Sequence, residues 1–337
     1  PARPQIFHGR DSELQDVVDS LMIGQARIAI LGPGGVGKTA LALAAMHHPR
    51  VSAAYEHIYF ISCQSCSTCS DLIAKVASYL GLGEKGSPKS VLQHLSYQPT
   101  PVLFLFDNLE TTWENNHRRA EVEEFLSRLT EVPKLSLMIT MRGAERPAKV
   151  QWSRPFIPPL APFDGSAALQ TFHEIAGDNE DPAIIQELLQ LTGNLPLAVS
   201  LLANIAASDG CELALSRWAT ERTQLLSDGY DQTSSLDISI TLSYTSPRMT
   251  PGAQELLSLL SILPDGISDA DLVHSGINIP NILSCKATLI QTSLAYVDHH
   301  RFLQVLPPIR EHIRRTYPVK AALTASLRQH FHAIIAL

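Results

Sequence analysis

The sequence lacks two features that would point to a membrane or to nucleic acid as its main partner. None of its apolar runs approaches the roughly 20 residues of a membrane-spanning helix. Its 26 Lys and Arg residues are outnumbered by 33 Asp and Glu, which gives a formal net charge of −7. A surplus of negative charge argues against a chain that coats nucleic acid or an anionic membrane. We therefore expect no membrane partner, and nucleic acid is not the expected partner.

Cysteines are few, and their odd number fits a reduced, cytoplasmic setting better than a disulfide framework. Three of the five lie at Cys63, Cys66 and Cys69, a C-x-x-C-x-x-C spacing that is also found in zinc and iron–sulfur sites. Such sites need a fourth ligand, and Cys211 and Cys285 are far away in sequence. We predict an ordinary loop between a strand and a helix, with a metal or redox role as the alternative.

The length and composition predict a globular protein of several domains. A chain of 337 residues exceeds one ordinary core. Apolar residues make up 45% and charged residues 18%, as in folded proteins. The sequence starts at Pro1 without a Met or an apolar leader, so we expect it to be a segment of a longer protein.

A strand, a glycine-rich turn and a helix are predicted in succession near the start. The apolar run 27–31 precedes a segment with the spacing G-x-x-x-x-G-K-[ST] over 32–39, and 40–46 favours a helix. Glycines let successive N–H groups point at phosphate oxygens, Lys38 reaches the β- and γ-phosphates, and the Thr39 hydroxyl can coordinate Mg²⁺. The motif predicts binding of a nucleoside di- or triphosphate. Its cofactor-binding residues are Gly34, Gly35, Val36, Gly37, Lys38, Thr39 and Ala40.

Two more predicted strands end in charged residues. The continuous apolar run 102–106 leads to Asp107, and the strand 135–140 leads to Arg142. Ligands bind at the carboxyl ends of parallel strands, so Asp107 is expected to hold Mg²⁺ together with Thr39. Arg142 would sense the γ-phosphate. The alternatives are a turn-forming Asp and a surface Arg in a loop.

The order of elements predicts an α/β domain followed by helices. We expect a parallel five-stranded sheet, with 156–160 as a short last strand or an extended exit, confined to an edge by its prolines. Helices alone follow residue 163, including one over 216–226 before a polar linker over 227–234. Helices and then a hairpin, with strands at 294–297 and 302–305, suggest a winged helix. The predicted domains are a P-loop domain at 1–160, a helical domain at 161–236, a winged helix at 237–318, and the start of a further helical region at 319–337.

This arrangement resembles the NB-ARC and NACHT group of STAND-class P-loop ATPases, which have an AAA+-like fold and serve as the switch modules of NOD-like receptors. Residues 7–10 (Phe-His-Gly-Arg) resemble the family's N-terminal motif at the adenine end, and 140–142 (Thr-Met-Arg) resemble its sensor-1 motif. Residues 195–198 (Leu-Pro-Leu-Ala) resemble the motif whose proline packs on the adenine. The resemblance therefore implies Phe7, Gly9, Arg10 and Pro196 as further nucleotide-binding residues. The versions at 107–111 and 307–311 look like those of fungal members.

Two departures from the family pattern concern ATP hydrolysis and the binding of ADP. The family often has a second acid directly after the metal-binding Asp, where this chain has Asn108. An amide orients water at best, whereas Glu110 has the chemistry of a base, so both stay open as candidates. The M-H-D motif of the family's winged helix aligns with 305–307, which lacks its His. The predicted catalytic residues are Lys38, Arg142 and Glu110.

The resemblance implies a cytoplasmic signalling switch of innate immunity. ADP would hold the domains closed, exchange for ATP would open them and allow self-association, and slow hydrolysis would reset them. Effector and sensor domains would flank this segment in the full-length chain. One alternative is a winged-helix regulator that binds DNA, and another is a conventional phosphotransferase or fast ATPase.

Overall fold

The computed structural model describes residues 1–83, 86–114, 119–177, 181–221 and 236–335. The chain divides into two compact units. Unit 1 comprises Pro1–Gly32 and Gly37–Leu160, and unit 2 comprises Pro33–Val36 and Ala161–Leu337. Among the described residues, no helix combines the length and the apolar character that crossing a bilayer would need.

Unit 1 is built on a parallel sheet of four strands in the order β1-β4-β3-β2. Its elements in chain order are α1 (Asp11–Met22), β1 (Arg27–Gly32), α2 (Lys38–Met46), α3 (Pro49–Ala54), β2 (His57–Ser62), α4 (Cys69–Tyr79), α5 (Pro88–Ser96), β3 (Val102–Asp107), α6 (Glu110–Trp113), α7 (Arg119–Thr130) and β4 (Leu135–Arg142). All six residues of the inner strand β3 are buried, whereas most of the edge strand β2 is half-buried. The continuous apolar run of β3 is what a strand covered on both faces requires.

The expected fifth strand is absent from the part of the chain that the structure describes, so the prediction of five strands over 1–160 was wrong. Leu160, at the end of the segment 156–160, donates from its N–H to the Leu31 carbonyl of β1 at 2.8 Å, and Ser153, which precedes the segment, donates to the Arg27 carbonyl at 2.9 Å. Two of the five residues in 156–160 are prolines. Because proline has no N–H to donate, a regular ladder cannot form there.

The cysteine-containing loop between β2 and α4 packs into the core of unit 1. The thiols of Cys63, Cys66 and Cys69 are free and buried among apolar side chains. Burial raises the pKa of Cys66 and Cys63, and it raises the pKa of Cys69 to about 11, so the neutral thiols are favoured. The Thr112 hydroxyl donates to the Cys66 carbonyl at 2.8 Å and fixes the loop. These cysteines serve the core as small apolar side chains.

Unit 2 is mainly helical and carries a small antiparallel sheet in the order β5-β7-β6. Its elements are α8 (Gly165–Ala176), α9 (Pro182–Thr192), α10 (Pro196–Asp209), α11 (Cys211–Glu221), α12 (Leu236–Tyr244), α13 (Pro251–Leu260), β5 (Ile267–Ser268), α14 (Asp269–His274), α15 (Ile282–Gln291), β6 (Tyr296–Val297), β7 (Phe302–Gln304), α16 (Pro307–Thr316) and α17 (Ala321–Ile335). The predicted hairpin is confirmed by the antiparallel pairing of β6 with β7.

Two helices of unit 2 are capped at their N-termini by aspartates. The Asp164 carboxylate accepts from the Ala167 N–H at 2.7 Å, and Asp181 accepts from the Ala183 N–H at 2.8 Å. Each cap satisfies a backbone donor that the first helical turn leaves unpaired. The end of the predicted helix over 216–226 and the polar linker lie outside the described residues. The domain boundaries within unit 2 stay predictions.

Candidate functional site

The glycine-rich loop joins β1 to α2. Gly35 has a φ of 77° and Gly37 a φ of 93°. Glycine adopts these left-handed backbone angles without the steric penalty that other residues meet. Gly37 occupies the position just before the first residue of α2. The loop therefore leads directly into a helix N-terminus, where backbone N–H groups and the helix dipole favour an anion.

Three side chains at the carboxyl edge of the sheet form what we call the Asp107 cluster: Thr39, Asp107 and Thr140. The Thr39 hydroxyl on α2 donates to Asp107 Oδ1 at 2.7 Å, and the Thr140 hydroxyl on β4 donates to the same oxygen at 2.6 Å. Thr140 Oγ1 in turn accepts the Asn108 N–H at 3.0 Å. Asp107 is 5% exposed. Two strands and the helix that follows the loop are thereby joined at one carboxylate.

A second group of side chains, the Glu110 cluster, consists of Lys38, Glu110 and Arg142. Arg142 Nε lies 3.4 Å from Glu110 Oε1, and the Arg142 backbone N–H donates to Glu110 Oε2 at 3.3 Å. Lys38 Nζ donates to the Gly32 carbonyl at 3.1 Å. Gly32 is the partner of Arg142 in the β1–β4 ladder. Lys38 therefore bonds to the residue of β1 that pairs with Arg142 of β4.

Burial dominates the electrostatics of the Glu110 cluster. It lowers the pKa of Lys38 to about 8, with the nearby Glu110 carboxylate opposing this shift. Burial also raises the pKa of Glu110, which the charges of Arg142 and Lys38 oppose. Because Lys38 has lost most of its hydration, its ammonium group gains more from an added anion than an exposed lysine would.

The donor groups fit Mg²⁺ and a phosphorylated ligand. Thr39 and Asp107 offer a hydroxyl and a carboxylate oxygen, the ligands that Mg²⁺ prefers. Both donors of the hydrogen bonds to Asp107 Oδ1 are neutral hydroxyls, so no side chain of the Asp107 cluster neutralises the carboxylate. Thr39 and Asp107 would thus hold the metal ion, while Lys38 and Arg142 supply positive charge for phosphate oxygens.

The residues predicted at the adenine end lie just before α1. Phe7 is half-buried, Gly9 has a φ of 61°, and Arg10 is 5% exposed. Arg10 Nη1 contacts Glu13 Oε1 at 2.8 Å, so this guanidinium has an ion-pair partner within α1. Their role toward a nucleotide stays a prediction.

Within unit 2, the segment Pro33–Val36 packs against α10 and α12. Leu197 N donates to the Gly35 carbonyl at 3.0 Å, and Pro196 is buried in the first turn of α10. A Cβ atom at Gly35 would lie 3.0 Å from Leu197 Cβ, and one at Gly34 would lie 2.0 Å from Ser239 Oγ. The predicted Pro196 motif and the predicted loop glycines are thus brought together.

Sequence reasoning missed two residues of these arrangements. Thr140 belongs to the motif that drew attention to Arg142, but its hydrogen bonds to both Asp107 and Asn108 were not expected. Ser239 lies against Gly34 from α12, and no motif in the sequence points to it. Thr140 could have been found from the strand-end position that it shares with Asp107.

Comparisons with known proteins agree with this geometry. The family model of the NACHT domain matches residues 26–179. A search of curated protein sequences finds no match. A Walker-type ATPase of Pyrococcus abyssi superposes with a TM-score of 0.65 at 16% identity, over 94% of this chain and 99% of that one.

Two further solved structures are more distant. The Aeropyrum pernix ORC1 protein, solved in complex with DNA, has a TM-score of 0.51 at 13% identity, over 99% of this chain and 96% of that one. A STAND protein with a tetratricopeptide repeat sensor from Pyrococcus horikoshii has a TM-score of 0.43 at 16% identity, over 99% of this chain and 46% of that one. At such identities a structural likeness shows the fold alone. Over residues 26–179 this chain is similar to NACHT domains.

Proposed function

We propose that this chain is an ADP/ATP-binding molecular switch. The observation that carries the proposal is the Asp107 cluster, in which the hydroxyl after the loop lysine reaches the carboxylate at the end of β3 at 2.7 Å. A P-loop protein needs this pair to hold Mg²⁺ beside the phosphates. The NACHT match over 26–179 supports the same assignment.

Each part of the site has a role in binding. The backbone of 34–39 and the Lys38 ammonium bind the β-phosphate, and Arg142 at the end of β4 responds to a γ-phosphate. Mg²⁺, when bound, neutralises charge on the β- and γ-phosphates. Phe7, Gly9, Arg10 and Pro196 would contact the adenine end, as the family resemblance implies.

Hydrolysis is expected to be slow. Asn108 follows Asp107 with a φ of 56°, and its backbone N–H is bound to Thr140. An amide side chain cannot accept a proton from water, so it can only orient the water. Slow turnover suits a switch, because the bound nucleotide then reports a state instead of being consumed.

The switch would work through exchange of ADP for ATP, followed by opening and self-association. A ligand shifts such an equilibrium only by its difference in affinity for the two states. The helices and the β5-β7-β6 sheet of unit 2 support a helical domain and a winged helix of NB-ARC type. We place the whole protein in the cytoplasm as a NOD-like receptor of innate immunity, with effector and sensor domains flanking this segment.

The arginines of α16 argue against the DNA-binding alternative, since each has a partner within unit 2. Arg310 donates to the Pro264 carbonyl at 3.2 Å, Arg314 lies 3.7 Å from a Glu311 carboxylate oxygen, and Arg315 donates to Asp237 at 2.6 Å. Groove binding needs a basic face that is available to phosphates.

The decisive experiment identifies the nucleotide that copurifies with the protein and then measures turnover. We expect mainly ADP after heat release and chromatography, and single-turnover hydrolysis of ATP that is slow. The variant Asn108→Asp restores an acid after Asp107 and should hydrolyse ATP faster. A wild-type rate of many turnovers per second, or a chain that binds neither ADP nor ATP, would overturn the proposal.

A further inference from the structure

A buried carboxyl group lies among the cations of the phosphate site. Glu110 is the first residue of α6 and is 7% exposed. Its two oxygens contact the side chain and the backbone N–H of Arg142, at 3.4 and 3.3 Å. Arg142 is therefore held at two points by one side chain.

Lys38 belongs to the same charge system. Its Nζ is bound to the Gly32 carbonyl, opposite Arg142 in the β1–β4 ladder, and the side chain is buried. The Glu110 carboxylate is the largest influence that raises the pKa of Lys38 against the effect of burial. One acid thus contacts Arg142 and acts electrostatically on Lys38, the two cations assigned to phosphate binding.

A general base must reach the water that it activates, and its carboxylate must be available to accept the proton. In the free protein both Glu110 oxygens contact Arg142, so Glu110 could act as a base only after it leaves this partner. A carboxylate in contact with an arginine offers the same kind of negatively charged acceptor oxygens as a phosphate group.

We propose that Glu110 is an internal substitute for the γ-phosphate, which makes the site favour the diphosphate. The inference rests on the proposed function, because it concerns the same phosphate site. A triphosphate has to displace the carboxylate from Arg142, whereas a diphosphate binds the loop and leaves the Glu110–Arg142 pair intact. Glu110 is in this sense a positioning residue that acts through Arg142.

The test is the ratio of the affinities for a non-hydrolysable ATP analogue and for ADP, measured by titration calorimetry with Mg²⁺. Glu110→Gln keeps the shape of the side chain and removes its charge. We expect the affinity for the analogue to rise roughly tenfold, which is the range that a charged hydrogen bond contributes, and that for ADP to stay within about twofold.

The matched control is Glu123→Gln. Glu123 is also a buried acid of unit 1, bound by Trp113 Nε1 at 3.0 Å and Arg119 Nε at 3.3 Å. Removing its charge should leave the affinity ratio unchanged, because neither partner belongs to the phosphate site. A second variant, Arg142→Gln, removes the group for which Glu110 and the γ-phosphate compete. Adding Glu110→Gln to it should therefore not raise the affinity for the ATP analogue further.

An affinity ratio that stays at the wild-type value in Glu110→Gln, or that falls, overturns the inference. So does loss of single-turnover hydrolysis at an unchanged ratio, since that is the signature of a base. If Glu110→Gln fails to fold, Glu110→Asp draws the carboxylate away from Arg142 and should shift the ratio less, in the same direction. If the wild-type chain binds neither nucleotide, the proposed function itself is wrong. If it binds both and Glu110→Gln leaves the ratio of the two affinities unchanged, only this inference is wrong.

Discussion

Asp107 and Glu110 are both buried acids close to the end of β3, yet their partners differ. Asp107 accepts hydrogen bonds from the neutral hydroxyls of Thr39 and Thr140. Glu110 contacts the cationic Arg142, and Lys38 interacts electrostatically with both acids. Neutral donors leave a carboxylate's charge available for an added cation, whereas cationic partners already compensate it. Two acids three residues apart thus differ in their direct partners, and it is on these partners that the proposed roles of Asp107 and Glu110 rest.

The most severe way to disturb the Glu110 cluster is Lys38→Ala. It removes the cation inside the loop, and we expect ADP affinity to fall by about 100-fold or more, because a buried charge-assisted contact is lost. Titration calorimetry measures this directly, and ADP should also raise the melting temperature less than it does in the wild type. Lys149→Ala, which alters a lysine whose side chain is 47% exposed, is the control. Unchanged ADP affinity in Lys38→Ala would contradict the assignment.

Removal of the acid proposed to bind Mg²⁺ tests the Asp107 cluster. Asp107→Ala should abolish the gain in ATP affinity that Mg²⁺ gives, roughly tenfold or more, while binding without metal persists through the loop backbone. The measurement compares ATP affinity with Mg²⁺ and with a chelator. Asp19→Ala, at a surface ion pair with Arg50, serves as the control. A normal Mg²⁺ effect in Asp107→Ala would remove Asp107 from the metal site.

A smaller perturbation removes a hydrogen-bond partner of Asp107 and leaves the carboxylate itself in place. Thr140→Val keeps the side-chain shape but takes a donor from Asp107 and an acceptor from the Asn108 N–H. We expect the free energy of unfolding in urea to fall by about 1–3 kcal/mol, because buried polar groups lose their partners. Thr130→Val is the matched control, since that hydroxyl bonds only to the Ser127 carbonyl of its own helix. Equal losses in the two variants would show that Thr140 has no special role.

The mildest effect concerns pH. The pKa of Lys38 is lowered to about 8, so its charge is lost as pH rises through that value. ADP affinity should therefore decline above pH 8, by at most about tenfold per pH unit, because one proton is involved. In the free protein, the contribution of Lys38 to stability changes with pH in the opposite direction. Between about pH 8 and the ordinary lysine pKa the unfolded chain binds the extra proton, so the contribution of Lys38 to stability rises with pH.

Calorimetry at pH 7 and pH 9 checks the binding effect, with Lys38→Met as the control that should lose the pH dependence. A constant ADP affinity in the wild type across this interval would show that Lys38 does not titrate there. Persistence of the full decline in Lys38→Met would assign it to another group.

Local patterns carried most of what the sequence could predict. The phosphate loop, β3 with Asp107 and β4 with Arg142 each follow from a short apolar run and the residue that ends it. The Glu110–Arg142 pair could not be predicted, because it joins residues that only the β3–β4 pairing brings together. The fifth strand does not form, because the two prolines of 156–160 remove N–H donors that even an edge strand needs for a regular ladder. Ser239 reaches Gly34 through packing, which leaves no periodic signal.

The hydrogen bonds around Thr140 run in one direction. Its oxygen accepts from the Asn108 N–H, and its own hydrogen is donated to Asp107. Together with the Thr39 hydroxyl, this bond holds the carboxylate in place in the ligand-free protein. A cation that binds there needs little reorganisation of the protein, so the entropy of ordering this acid is lost once, when the chain folds, and not at each exchange of nucleotide.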